Sequence, residues 1–291
     1  MKEQSCFAKI FYFPLTRMIL GGGACLAIGV LWKKVVFDPL LDFLGIEETA
    51  ATSIKYFLSI MALLLSYYFI FRFYERRKIR ELSTKHIFGE SLTGFLGGFL
   101  SISFVLLILL IAGHFRVLKI NTFSTFIPTF TAISLFALGE EIIFRGVFFR
   151  ILEENLGTVS ALGLSSLIFG IIHITNQHVH VLSIVSVILL GSLLGILYTL
   201  TKRLWMPIFF HAGWNFAQVF FLSNVSSLSD YEGPFESRLE GSSLLIGGHF
   251  GIEDSLITII LLAVLFSMIF YISWKNGRTK KPFWKNMMGG I

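Results

Sequence analysis

The sequence predicts an all-α integral membrane protein, a bundle of about eight transmembrane helices, and three observations carry that expectation. Of 291 residues, 55% are hydrophobic and only 14% charged, against the ~25% charge usual in soluble domains. The mean hydropathy is +0.77. The apolar residues collect in runs long enough to cross about 30 Å of hydrocarbon, and most lysines and arginines fall between those runs. The net charge of +6 therefore reads as orientation and contact with anionic lipid headgroups, not as nucleic-acid binding.

In chain order the runs are approximately 17–36, 54–73, 92–113, 123–152, 158–175, 179–200, 204–222 and 254–274. The first is closed by Lys33 and Lys34 and lacks a small-residue cleavage signature, so it reads as an uncleaved span. Cys6 lies in a basic amino-terminal segment and Cys25 in the first run, a spacing that suits neither a metal nor a structural disulfide. The fifth run is short and carries His173 near its end.

Charge between the runs sets the expected topology. Residues 74–91 hold Arg76, Arg77, Lys78, Arg80 and Lys85, and the tail holds Lys275, Arg278, Lys280, Lys281 and Lys285 with no acid. Residues 223–253 are acidic, with Asp230, Glu232, Glu236, Glu240 and Glu253 against Arg238. Eight crossings with both termini cytoplasmic put the basic connections inside and the acidic one outside. Arg116 and Lys119, in the 114–122 connection, are the exception. The serine- and glycine-rich 223–253 segment reads as a lid or, in preference, a mobile connector. The chain divides into amino-terminal helices (1–122), a core of four helices (123–222), and a loop, last helix and basic tail (223–291).

The run everything else is organised around contains Glu140, Glu141 and Arg145. Each ionisable group at the centre of a membrane helix costs about 2.5–3.5 kcal/mol on the lenient insertion scales, which makes it a functional candidate by default. Glu141 and Arg145 are four apart with the acid first, the favourable order for an ion pair. Glu140, about 100° round the helix, is left less neutralised. Two further polar pairs share the same spacing: Phe169 with His173, and His211 with Asn215. Pro207 suits the first turn of the helix bearing His211, and Ala212 and Gly213 let a neighbouring helix come close.

Singly, each group also reads as an interhelical polar contact. Jointly they form a set that activates water and stabilises an oxyanion: a carboxylate made more basic by an apolar pocket, and imidazole or amide N–H groups facing the developing charge. Glu140, His173 and His211 equally match a zinc set of two histidines and a carboxylate, so the residues alone leave a divalent metal open.

Glu-Glu-x-x-x-Arg, then Phe-x-x-x-His, then His-x-x-x-Asn, in that order on three predicted membrane helices, resembles the CAAX prenyl protease and bacteriocin-processing (CPBP) family. This family is also called the type II CAAX endopeptidase or Abi family of intramembrane proteases. The resemblance covers roughly residues 125–220. It implies an eight-helix endopeptidase with Glu140 as general base, His173 as its partner on the water, and His211 and Asn215 stabilising the oxyanion. Glu141, Arg145 and Phe169 would hold the geometry. Family members are described as metalloproteases, and a metal-free glutamate mechanism has also been argued for them. The implied partners are a peptide or protein substrate, in some members lipid-modified, and membrane lipids. The alternatives are a non-catalytic scaffold or bacteriocin-immunity protein of the same fold, and a proton-coupled carrier. The carrier lacks the paired broken helices of a transport site.

Depth is the difficulty for convergence. At 1.5 Å per residue, Glu140 lies about 20 Å from Glu154 but His211 only about 10 Å from Leu204. The three groups meet only if helices tilt or residues 200–204 dip inward. Of the remaining candidates, His178 and His180 read as solvated, and His86, His114 and His249 as loop or span-end residues. Trp205, Trp214 and Trp274 read as interfacial or core residues, and Gly191-x-x-x-Gly195 as an intramolecular helix contact.

Overall fold

A computed structural model describes residues 10–122, 126–223 and 233–282. Lys2, Cys6, Asp230, Glu232 and Lys285 lie outside the described residues. The chain is an all-α membrane bundle. Its helices are α1 (Pro14–Leu31, running on through a π-helical turn to Phe43), α2 (Glu48–Tyr74) and α3 (Ile87–Ile111). There follow α4 (Phe126–Glu141), a π-helical stretch Ile142–Phe149 and α5 (Arg150–Leu156), which together make one rod. The bundle is completed by α6 (Thr158–Ile172), α7 (Val181–Thr201), α8 (Trp205–Leu222) and α9 (Leu256–Lys275).

Six helices among the described residues are long and apolar enough to cross a membrane: Pro14–Phe43, Ala50–Tyr74, Arg80–Ile111, Thr158–Thr175, Val181–Thr201 and Leu256–Lys275. The other two expected runs, 123–152 and 204–222, are helical from Phe126 and from Trp205 onward but fall outside that set. They are the rod bearing Glu140, Glu141 and Arg145, and α8, bearing His211 and Asn215. Both have their site-bearing parts packed among neighbours: Ile142, Val147, Phe149, Trp214, Ala217 and Val219 have no exposed surface, while Phe126, Ile127 and Phe136 at the start of the rod are exposed.

Helix boundaries follow local chemistry. Pro14 and Pro207 sit in first turns, where a missing N–H costs nothing. The Ser255 hydroxyl accepts the Ile257 N–H at 3.1 Å and caps α9. Close helix contacts use glycine: a Cβ on Gly98 of α3 would stand 2.0 Å from the Phe210 carbonyl of α8, and one on Gly213 would stand 2.2 Å from the Phe95 carbonyl. Gly191 and Gly195 face Phe169 and Leu162 of α6 within the chain, so this pair is an intramolecular contact as expected.

The 223–253 connector is a correction. Its described part, from residue 233 onward, includes β2 (Phe235–Leu239), antiparallel to β1 (Phe115–Ile120), with Phe115 opposite Leu239 and Ile120 opposite Phe235. The ladder is irregular between Val117 and Lys119. Of the two residues of the charge exception, Lys119 lies opposite Glu236 but Arg116 lies opposite Arg238. Further on, Phe250 and Ile252 are fully buried and Glu253 and Asp254 nearly so. Apolar side chains and backbone pairing seat against the bundle what composition alone presents as a loose loop.

Candidate active site

The rod positions the acids. Glu141 is fully buried and receives the Arg145 guanidinium at 2.6 Å. Arg145 also donates to the Gly191 carbonyl of α7 at 3.0 Å and lies 4.7 Å from the centre of the Phe169 ring. The second Glu141 oxygen, Oε2, is buried without a hydrogen-bond partner. Glu140 is different: its side chain is 34% exposed. The π-helical stretch begins immediately after this pair, and π insertions are frequent at functional sites. Within it, Gly146 has Tyr67 against it, where a Cβ would come within 2.9 Å of the ring. Its carbonyl accepts from the Tyr67 hydroxyl at 2.8 Å and from Arg150 at 2.7 Å.

His211 bridges the two acids. Its Nδ1 stands 3.0 Å from Glu141 Oε1 and its Nε2 3.8 Å from Glu140 Oε2. An ionised carboxylate only accepts, so His211 Nδ1–H donates to Glu141 and Nε2 is turned toward Glu140. The start of α8 is recessed in the bundle: Leu204 is fully buried and donates its N–H to the Glu81 carbonyl at 2.9 Å. The Trp205 indole donates to the Ser83 carbonyl at 2.9 Å. The turn before α8 therefore packs against residues 81–83.

Phe169 stands among the remaining candidates. Its ring centre is 4.6 Å from that of His173 and 6.4 Å from that of His211. His173 Nδ1 is 2.8 Å from the Phe169 carbonyl, and His173 forms no ion pair with either glutamate among the described residues. Asn215, one turn beyond His211, is half-buried. The structure thus joins Glu140, Glu141, Arg145 and His211 directly, with His173 linked to them through the Phe169 ring. Among the described residues no group of three His, Cys, Asp or Glu side chains is placed to hold a metal ion. Glu140, His173 and His211, the set that sequence presents as ligands, are not gathered into such a group.

Several polar residues escape the sequence reading. On α8, Trp214 and Gln218 donate to Glu253 Oε1 at 2.7 and 3.1 Å. His180, expected to be solvated, is half-exposed but sits 2.8 Å from Asp254 Oδ2 and 2.7 Å from the Ser183 hydroxyl. At the other end of the rod, Arg150 pairs with Glu75 and Glu154, Arg17 with the same two acids, and Arg77 with Glu75 and Glu81. Burial pushes the Glu75 carboxyl up, but Arg150, Arg77 and Arg17 more than offset it and hold it below its usual range. Four-residue spacing of Arg150 with Glu154, and of Trp214 with Gln218, is the signal that could have flagged these groups.

Residues 122–217 match the family model described as "Type II CAAX prenyl endopeptidase Rce1-like". The chain is also 34% identical over 111 residues to a protein of Bacillus subtilis (strain 168) named "Putative membrane peptidase YdiL". That match covers 38% of this chain and 41% of the relative. No solved structure matches.

Proposed function

We propose, for a chain whose residues 122–217 match the type II CAAX prenyl endopeptidase Rce1-like family model, that it is a membrane-embedded endopeptidase cleaving with glutamate-activated water. The observation carrying this reading is the bracket on His211: Nδ1 held by Glu141 at 3.0 Å, and Nε2 facing the half-open Glu140 at 3.8 Å. That second gap is too long for a direct hydrogen bond and suits a shared water.

In the proposed reaction Glu140 takes a proton from that water as its oxygen bonds to the scissile carbonyl carbon. The carbonyl oxygen becomes an oxyanion facing the Asn215 amide N–H and, when protonated, His211 Nε2–H. Collapse breaks the C–N bond, and the proton held by Glu140 passes to the leaving nitrogen. Glu141 and Arg145 fix the His211 ring; His173, with Nδ1 on the Phe169 carbonyl, presents Nε2 as a second contact for the water. The reaction is written with this chain's own residues, since Glu140, His173 and His211 are not gathered as a ligand set among the described residues. The substrate is a peptide or protein segment reaching the site within the bilayer, with or without a lipid group. Both termini are assigned to the cytoplasmic face, testable by labelling single cysteines at Lys281 and Ser237 from either side.

The test is cleavage of prenylated and unmodified peptides by purified protein. Glu140→Ala, His173→Ala and His211→Ala should each abolish cleavage while folded protein accumulates. Full activity in purified Glu140→Ala would exclude the assignment.

A further inference from the structure

Residues 247–255 form a strap lying against the helices that carry the site. Gly247, Gly248 and Gly251 have φ of +83°, +60° and +122°, a region that side-chain-bearing residues rarely enter, so the strap turns at positions only glycine serves well. Between them the chain delivers Phe250, fully buried in one apolar cluster with Phe144, Phe169 and Val187. Phe144 and Phe169 meet edge-to-face at 4.8 Å, and Phe169 is the ring flanked by His173 and His211. Phe250 thus fills space adjoining the candidate site.

Polar contacts fasten the strap to two helices. Glu253 takes the Trp214 and Gln218 donors of α8, one turn and two turns beyond His211. On α7, Ser186 donates to the Glu253 carbonyl at 2.6 Å and Ser183 to Asp254 Oδ2 at 2.6 Å, with His180 on the same oxygen. Asp254 Oδ1 is buried and unpartnered. Among the described residues no lysine or arginine forms an ion pair with Asp254. The titratable groups around it are His180 from α7 and Glu253 from the strap itself; His178 and His249 lie together nearby in sequence, with ring centres 5.4 Å apart. A buried carboxylate with one oxygen unpaired costs more to keep seated when charged than when protonated.

We propose that the strap Gly247–Ser255 is a movable wall of the candidate site, and that Phe250 determines which substrate side chain is admitted by occupying its place when seated. The specificity half rests on the endopeptidase reading; the movement does not. The substrate this wall selects carries a large apolar or aromatic side chain beside the scissile bond, because Phe144, Phe169 and Val187 line the space that Phe250 vacates. Burial pushes the Asp254 carboxyl up to about 7, the Ser183 hydroxyl opposes that shift and Glu253 adds to it. A carboxyl whose value rises in the seated state stabilises seating while protonated, and that contribution is lost as pH rises through about 7. The strap therefore lifts more readily in mild alkali.

The full chain in detergent or lipid discs tests both halves. Hydrogen exchange of 247–255, corrected for the intrinsic pH effect, should be several-fold faster at pH 8.5 than at pH 5.5. Asp254→Asn, which keeps the shape without the charge, should hold the strap slow at both. Equal corrected rates in wild type, or a variant that tracks wild type, overturns the movement. For specificity, Phe250→Ala should shift relative kcat/KM toward larger side chains by about tenfold or more, with thermal melting confirming a folded variant. Cleavage by wild type with an unchanged ratio in Phe250→Ala overturns the specificity role. Absence of any cleavage by wild type removes the endopeptidase reading and that role together, leaving strap movement to be decided by exchange.

Discussion

Two clusters of charge share one rod and are built on opposite plans. Around Arg150 every charge is answered: Glu75, Glu154 and the Gly146 carbonyl take its donors, Phe71 lies 5.0 Å beneath it, and Arg17 and Arg77 close the remaining carboxylate oxygens. Around His211 the account is left open. Glu140 is partly exposed, Glu141 Oε2 lacks a partner, and the His211–Glu140 gap is 3.8 Å. A closed network spends its electrostatics on holding helices together. An open one retains unspent donors and acceptors, and those are what a reacting water and carbonyl require. Four residues, Gly146 to Phe149, separate the two in sequence on the rod, and the Gly146 carbonyl is shared by Tyr67 and Arg150.

The contrast breaks most decisively at Glu140. Its replacement by alanine should cost about 10²- to 10⁴-fold in cleavage, the usual worth of a general base, while thermal melting in detergent stays near wild type. A large loss of stability instead would mean that the two clusters do the same work. Arg150→Ala should give the opposite signature. Removing one partner from a buried pair costs about 3–5 kcal/mol, and Arg150 is only 4% exposed. Melting should drop sharply, and the protein that remains folded should keep its intrinsic turnover. Loss of turnover at unchanged melting temperature would move Arg150 into the reacting set.

How far each cluster could be read in advance depended on spacing. Glu141 with Arg145 lies on one helix at four-residue spacing, and their 2.6 Å pairing follows directly. The helical runs were equally readable because each is predominantly apolar over a length that spans a membrane. His211 against Glu141 needed three motifs taken together, since the contact spans seventy positions and depends on a recessed helix start. Glu253 and Asp254 were not legible: acids in a serine- and glycine-rich segment look solvated, and only the burial of Phe250 and Ile252 draws them inward. The Arg150 network was hidden for a related reason. Its carboxylates come from a connection whose charge balance indicates topology and says nothing of pairing.

The closed network should also be the acid-sensitive one. Arg150, Arg77 and Arg17 hold Glu75 below its usual range against the opposing effect of burial. A depressed carboxyl contributes stability that is present above its unfolded value, near 4.5, and is lost as pH falls through the lowered folded value. Melting temperature should therefore decline on acidification from about pH 5 downward, and Glu75→Gln, less stable at neutrality, should show a shallower decline. Parallel curves for the two proteins would assign the acid sensitivity elsewhere.

The smallest effect belongs to a pair that resembles these in sequence and differs in setting. Arg238 and Glu240 approach to 3.1 Å with side chains 68% and 48% exposed. Exposed pairs are worth about 0–1 kcal/mol because water screens them and two long side chains lose freedom. Arg238→Ala should leave melting temperature and cleavage near wild type at both low and high salt. The backbone of β2 carries the register opposite Arg116, and alanine preserves that backbone. A measurable loss would mean that charge, and not strand pairing, holds this segment, and would place a third working electrostatic cluster at the strap's end of the bundle.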